Sequence, residues 1–110
     1  MSQNNQSTAI SDHDAIRAVL NRYALGLDRR DYAALSQVFT EDALGDYTPS
    51  GIAHGAAGIV AFVKGALEQC GTTQHLLGTV DIQVQGDHAN SVCYLQAIHI
   101  GIKPGFVGQR

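Results

Sequence analysis

The chain has 110 residues, 45% hydrophobic and 15% charged, the composition of one soluble globular domain with a single core rather than of a disordered segment. A net charge of −3, a pI near 5.9 and the lack of a Lys/Arg cluster exclude a nucleic-acid surface, and no apolar run is long enough to span a membrane. The polar start has neither a basic n-region nor an apolar h-region, so no signal peptide is expected. Cys70 and Cys93 lack metal spacing, and a cytoplasmic location with free thiols follows as the default.

Residues 1–10, rich in Ser, Gln and Asn, read as a disordered tail before a domain over 11–102. Ser11 is placed as an N-cap, with Asp14 three residues on as a short capping-box partner. Ile16, Val19, Leu20, Tyr23, Ala24 and Leu27 follow at helical spacing and predict a helix from about Asp12 to Asp28. Arg29 and Arg30, flanked by Asp28 and Asp31, read as a solvated helix end. Asp31 caps a second, short helix that buries Tyr32, Leu35, Val38 and Phe39. A brief strand over 43–48 then ends at Pro49-Ser50-Gly51. Ile59, Phe62, Val63 and Leu67 share one face of a third helix over 56–69.

From Thr72 the period changes to two. A strand to about Val84, a turn at Gly86-Asp87 and a second strand over 89–102 predict a long antiparallel hairpin, followed by a Gly-rich tail over 103–110. Helices first and a hairpin afterwards define an α+β domain with helices against one sheet face.

Five polar side chains fall where apolar ones are expected: Tyr23, Asp28, Tyr47, His75 and His99. Such groups are costly to bury without partners, so several on one inward surface suggest an acid–base pocket. A three-residue loop, Gly86-Asp87-His88, would set His75 opposite His99 and Leu77 opposite Ala97, close enough for both imidazoles to touch one ligand. A two-residue Gly86-Asp87 loop would instead put the histidines on opposite faces, because a one-residue slip inverts the pattern. The three-residue register groups Val80, Ile82 and Val84 with Val92, Tyr94 and Ile98 on the other face. That face is expected either to form a homo-oligomer interface or to pack on the chain's own helices. Tyr23 and Asp28 differ by about 140° around the helix axis and do not converge in a regular helix. Alone, Tyr23 fits a core tyrosine and Asp28 a solvated carboxylate.

The segments Tyr23-x4-Asp28-x2-Asp31-Tyr32, Phe39-Thr40-Glu41-Asp42-Ala43, Asp46-Tyr47 and Thr73-Gln74-His75 resemble the SnoaL-like group of the NTF2-like superfamily, over roughly 11–101. The nearest chemistry is that of scytalone dehydratase and the bacterial bile acid dehydratase. The resemblance implies a cone of three N-terminal helices on a curved antiparallel sheet. Family members continue through further strands, so this sheet is expected to be shortened at its C-terminus.

By the same resemblance, Asp28 matches the helix-end aspartate, Tyr47 the strand tyrosine, and His75 and His99 the two strand histidines. Tyr23 matches the tyrosine of the bile acid dehydratase, while Leu27 stands where scytalone dehydratase has a tyrosine. The implied activity is a cofactor-independent dehydratase or isomerase acting on a small cyclic carbonyl or polyketide-like compound. His75 would be the base, because imidazole titrates near physiological pH. Tyr47 with Tyr23 would face the enolate oxygen, and Asp28 would orient His99 as the acid. Two alternatives stay open: a non-catalytic module for a small apolar ligand or for dimerisation, and a metal site built from both histidines and Asp28.

Overall fold

The computed structural model describes residues 10–102; the Gly-rich tail and all but Ile10 of the N-terminal tail lie outside it. Its elements are α1 (Asp12–Arg29), α2 (Tyr32–Ser36), β1 (Leu44–Asp46), β2 (Ile52–His54), α3 (Gly55–Leu67), β3 (Cys70–Gln85) and β4 (His88–Ile102). β1 pairs with β2 and β3 with β4, both antiparallel. The expected α+β order is present; the small strand β2 is an addition that the sequence pattern did not reveal.

Local signals start and stop the helices. The Ser11 hydroxyl accepts from the Asp14 N–H at 3.1 Å, and the Asp31 carboxylate accepts from the Ala34 N–H at 3.1 Å. Each satisfies a donor that the first helical turn cannot pair. At the end of α1 the chain reverses through Arg30, whose φ of 56° lies in the left-handed region. For a residue with a Cβ that conformation costs roughly 1–2 kcal/mol. The turn lets Asp31 N–H reach the Gly26 carbonyl at 2.9 Å and brings α2 back along α1. Gly26 permits the approach, since a Cβ there would lie 2.8 Å from the Leu35 side chain.

The core forms where the three helices meet. Leu27, Leu35, Val63 and Leu67 are buried together, with Tyr23, Tyr32, Tyr47, Val60 and Phe62 packed around them. α1 lies along β3 and α3 against β1, β2 and β3, so the described helices cover one face of the hairpin.

The hairpin corrects the expected register. Gln85 pairs with His88, so the loop is the two-residue Gly86-Asp87, with Gly86 at φ 58° as a type II′ turn requires. The register then shifts between Leu77 and Val80, where Gly78 and Thr79 oppose Tyr94 alone as a β-bulge. Beyond it His75 pairs with Ala97 and Thr73 with His99. The two histidines are therefore diagonal neighbours rather than directly opposed, about 7–8 Å apart in typical ladder geometry.

The bulge also inverts the alternation of β3. On the turn side Val80, Ile82 and Val84 face inward, Ile82 being buried; on the other side Thr73, His75 and Leu77 do. Val92, Tyr94 and Ile98 point the opposite way and are exposed. The residues assigned to one oligomer face are thus split, with Val80 and Ile82 turned to α1 and Val92 and Tyr94 turned to solvent.

Candidate active site

A cavity of ≈ 200 Å³ opens between α1, α3 and the inner face of the hairpin. Its walls are Leu27, Phe62, Val63, Ala66 and Leu67, with Tyr23, Tyr47, Cys70, His75 and His99 as the polar or reactive members. Four of the five residues singled out from the sequence face this space. The fifth, Asp28, stands behind one of them.

Asp28 is the penultimate residue of α1, beside β3. Its Oδ1 lies 2.6 Å from His75 Nδ1, and its Oδ2 accepts the His75 backbone N–H at 2.9 Å. Thr73, two positions earlier on the same strand face, donates its hydroxyl to Oδ1 at 3.1 Å. The pair is mostly buried, with side-chain exposures of 10% for His75 and 21% for Asp28. Burial works to raise the Asp28 carboxyl, but the His75 side-chain and backbone bonds and the Thr73 hydroxyl outweigh it and hold the group below its usual value. The expected partnership of Asp28 with His99 is thereby corrected: the carboxylate orients His75, because α1 ends against β3. His99 lies on β4, where its Nδ1 is 3.8 Å from Cys70 Sγ.

The phenols form a second pair. Tyr23 and Tyr47 place their oxygens 3.3 Å apart on the cavity wall. Tyr47 stacks on Phe62 with ring centroids 4.8 Å apart, and Tyr23 meets Phe39 edge-on at 5.9 Å. Burial, then the bond to Tyr47, pushes the Tyr23 phenol well above its ordinary value, so it stays a neutral phenol. Tyr23 and Asp28 do diverge around α1, as helix geometry demands, and each finds its own partner.

Arg30 is not the solvated helix end that its charged neighbours suggest. Arg29 is solvated, but Arg30 turns inward and is half-buried. Its Nη1 donates to Thr73 Oγ1 at 2.8 Å and to the Leu27 carbonyl at 3.0 Å; its Nη2 donates to the Gly71 carbonyl at 2.6 Å and to that of Leu67 at 3.4 Å. The cation thus sits over the C-terminal ends of α1 and α3, where helix dipoles favour positive charge. Thr73, only 4% exposed, enters the sequence reading only within the Thr73-Gln74-His75 motif, with no role of its own; the signal for one is its place on the inward face two residues from His75.

Among the described residues, no group of three or more His, Cys, Asp or Glu side chains is arranged to hold a metal ion. The two-histidine, one-carboxylate reading fails on placement, since Asp28 is spent on His75 Nδ1. No described helix is long and apolar enough to cross a membrane.

Comparison with known proteins agrees with this architecture. The SnoaL-like domain family matches residues 8–109. The uncharacterized protein Rv2910c of Mycobacterium tuberculosis is 32% identical over 95 residues, 84% of this chain, which spans 65% of the length of the curated relatives it matches. A solved structure from Novosphingobium aromaticivorans, described as a proposed aromatic ring hydroxylase, is 30% identical with a TM-score of 0.72, covering 79% of this chain and 64% of its own. A second structure from that organism, described as a proposed scytalone dehydratase, is 25% identical with a TM-score of 0.72, covering 90% and 64%. The NTF2-like fold is shared with a proposed dehydratase from Streptomyces avermitilis, 14% identical with a TM-score of 0.67, covering 81% and 68%. The chain belongs to the SnoaL-like domain family and has its NTF2-like fold.

Proposed function

We propose that this domain is a cofactor-independent lyase that removes water from a small cyclic β-hydroxy carbonyl compound, or isomerises a related one. The observation that carries the reading is the Asp28–His75 pair on the wall of an apolar cavity, 2.6 Å between oxygen and nitrogen. An anionic carboxylate only accepts, so His75 Nδ1 carries a hydrogen, and in the neutral imidazole Nε2 is the nitrogen with the lone pair. Nε2 takes the proton alpha to the carbonyl, and the C–H electrons form the enolate. When the enolate collapses, the new C=C bond forms and the β-hydroxyl leaves with a proton supplied by His99 or by the protonated His75.

The enolate oxygen needs a donor while it is charged. Two phenols have two O–H hydrogens. One closes the bond between Tyr23 and Tyr47, and the other is free to turn to the ligand. The description of a 25% identical structure as a proposed scytalone dehydratase supports the same reaction class, and that of the 30% identical one as a proposed aromatic ring hydroxylase supports a cyclic substrate.

The test is a panel of cyclic hydroxy-ketones in deuterated buffer. Exchange of the alpha proton, lost in His75→Ala while the fold is kept, is the expected result. A second reading is binding of a small apolar compound in the same cavity without turnover. Thermal stabilisation by panel members with no exchange on any of them would select that reading.

A further inference from the structure

We propose that Arg30, acting through the hydroxyl of Thr73, is a positioning residue that locks the Asp28–His75 pair in one direction of hydrogen bonding. The chain of contacts runs from Arg30 Nη1 to Thr73 Oγ1 at 2.8 Å, on to Asp28 Oδ1 at 3.1 Å, and from Oδ1 to His75 Nδ1 at 2.6 Å. Guanidinium has donors only. Thr73 must therefore accept from Arg30, and its single O–H proton goes to Asp28. Asp28 Oδ1 then receives that proton and the one on His75 Nδ1, while Oδ2 receives the His75 backbone N–H. With every bond directed at the carboxylate, Asp28 is held anionic and in one rotamer. His75 is left with Nε2 as its acceptor.

Two features argue that Arg30 stands here for its side chain. Its φ of 56° suits Gly, the usual residue at this end of a helix, and an L residue rarely adopts it. An observed backbone outlier of this kind is a reason to look for function. Thr73 is only 4% exposed, so water is poorly placed to replace its hydroxyl if that is removed. Arg30 also ties α1, α3 and β3 together through the Leu27, Leu67 and Gly71 carbonyls, which keeps the helix bearing Asp28 in register with the strand bearing His75.

The consequence for turnover rests on the lyase reading, but the positioning itself is read without substrate. NMR of the 15N-labelled imidazoles is expected to show a slowly exchanging Nδ1–H on His75 in the parent protein and in Thr73→Ser. In Thr73→Val and in Arg30→Gly, which relieves the backbone while removing the guanidinium, the Asp28 carboxylate is freed to leave its single rotamer, so that signal is expected to be lost to exchange and the Nε2–H tautomer to appear where the contact is broken. If a substrate is found, kcat should fall about 10- to 100-fold in both variants with KM little changed, as for other residues that orient a reacting group. An unchanged Nδ1–H signal and tautomer ratio in Thr73→Val overturns the proposal, even if Arg30→Gly fails to fold. Loss of the signal in Thr73→Val and its return in Thr73→Ser supports it, whether or not any hydroxy-ketone is turned over.

Discussion

Asp28 holds His75 at two points, the ring Nδ1 at 2.6 Å and the backbone N–H at 2.9 Å, so one carboxylate fixes both the imidazole and the strand that carries it. A single contact would allow the ring to swing; two from one rigid group do not. The grip depends on Asp28 lying at the end of α1 where the helix meets β3, as well as on its charge.

Replacing Asp28 with Asn tests this relationship. An amide can donate where the carboxylate only accepts, so it can hold the ring while favouring the wrong tautomer. The expected result is a fold retained by circular dichroism and a kcat on the identified substrate lower by about 10²–10⁴-fold, the range seen when an orienting carboxylate is made neutral. Activity within about twofold of the parent would remove Asp28 from the mechanism.

The same pair predicts a pH dependence of stability. The Asp28 carboxyl is held below its ordinary value in the fold, so the unfolded chain takes up the proton first as pH falls. The stabilisation is complete above the ordinary carboxylate value of about 4 and is lost as pH falls through the lower folded value. Urea unfolding of the parent and of Asp28→Asn should therefore differ by a constant amount near neutrality, with the gap closing below about pH 4. A gap independent of pH down to 2 would contradict the assignment.

The sequence made much of this arrangement readable, and the places where it did not have physical causes. Helical spacing and the Ser11 and Asp31 caps located α1 and α2 because those signals are local. The convergence of His75 and His99 was anticipated through a three-residue loop that does not exist. The actual turn has two residues, and the extra residue lies in the bulge at Gly78-Thr79, which restores the shared face. Alternation alone cannot separate these cases, since both add one residue to the same hairpin. The charged neighbours of Arg30 are those of a solvated helix end; only the left-handed turn after Arg29 carries it inward. Sequence does not say which strand a helix end will touch, so it does not separate His75 from His99 as the partner of Asp28.

The two phenols should behave as one unit. Tyr23→Phe and Tyr47→Phe each break the 3.3 Å bond and each are expected to cost about 0.5–1.5 kcal/mol of stability. The double variant should cost less than the two together, because the shared bond is lost only once. Of the four tyrosines, Tyr23 is expected to ionise late, since burial and the bond to Tyr47 favour its neutral form. Its contribution to stability is present below the ordinary phenol value of about 10 and fades as pH rises above it. Alkaline titration of tyrosinate absorbance checks this, and an early ionisation that disappears in Tyr23→Phe would refute it.

The outward face of the hairpin supplies a last expectation. Leu76, Val92, Tyr94, Ile98 and Ile100 are 39–66% exposed there, while the inner face is covered by α1 and α3. An apolar group of this kind on a two-stranded ribbon is costly to leave in water, and association with a second copy would cover it. Sedimentation velocity should then show a concentration-dependent species larger than the 11.7 kDa chain. Tyr94→Lys with Ile98→Lys should shift it to the single chain, since a buried Lys pair would carry a desolvation cost with no partner. The substitutions touch neither the cavity wall nor Asp28, so helical content should not change. Val80→Lys, on the inner face, is expected instead to lower thermal stability, because the bulge turns that residue toward α1. If Val80→Lys dissociated the assembly and left the stability unchanged, the assignment of the two faces would be reversed.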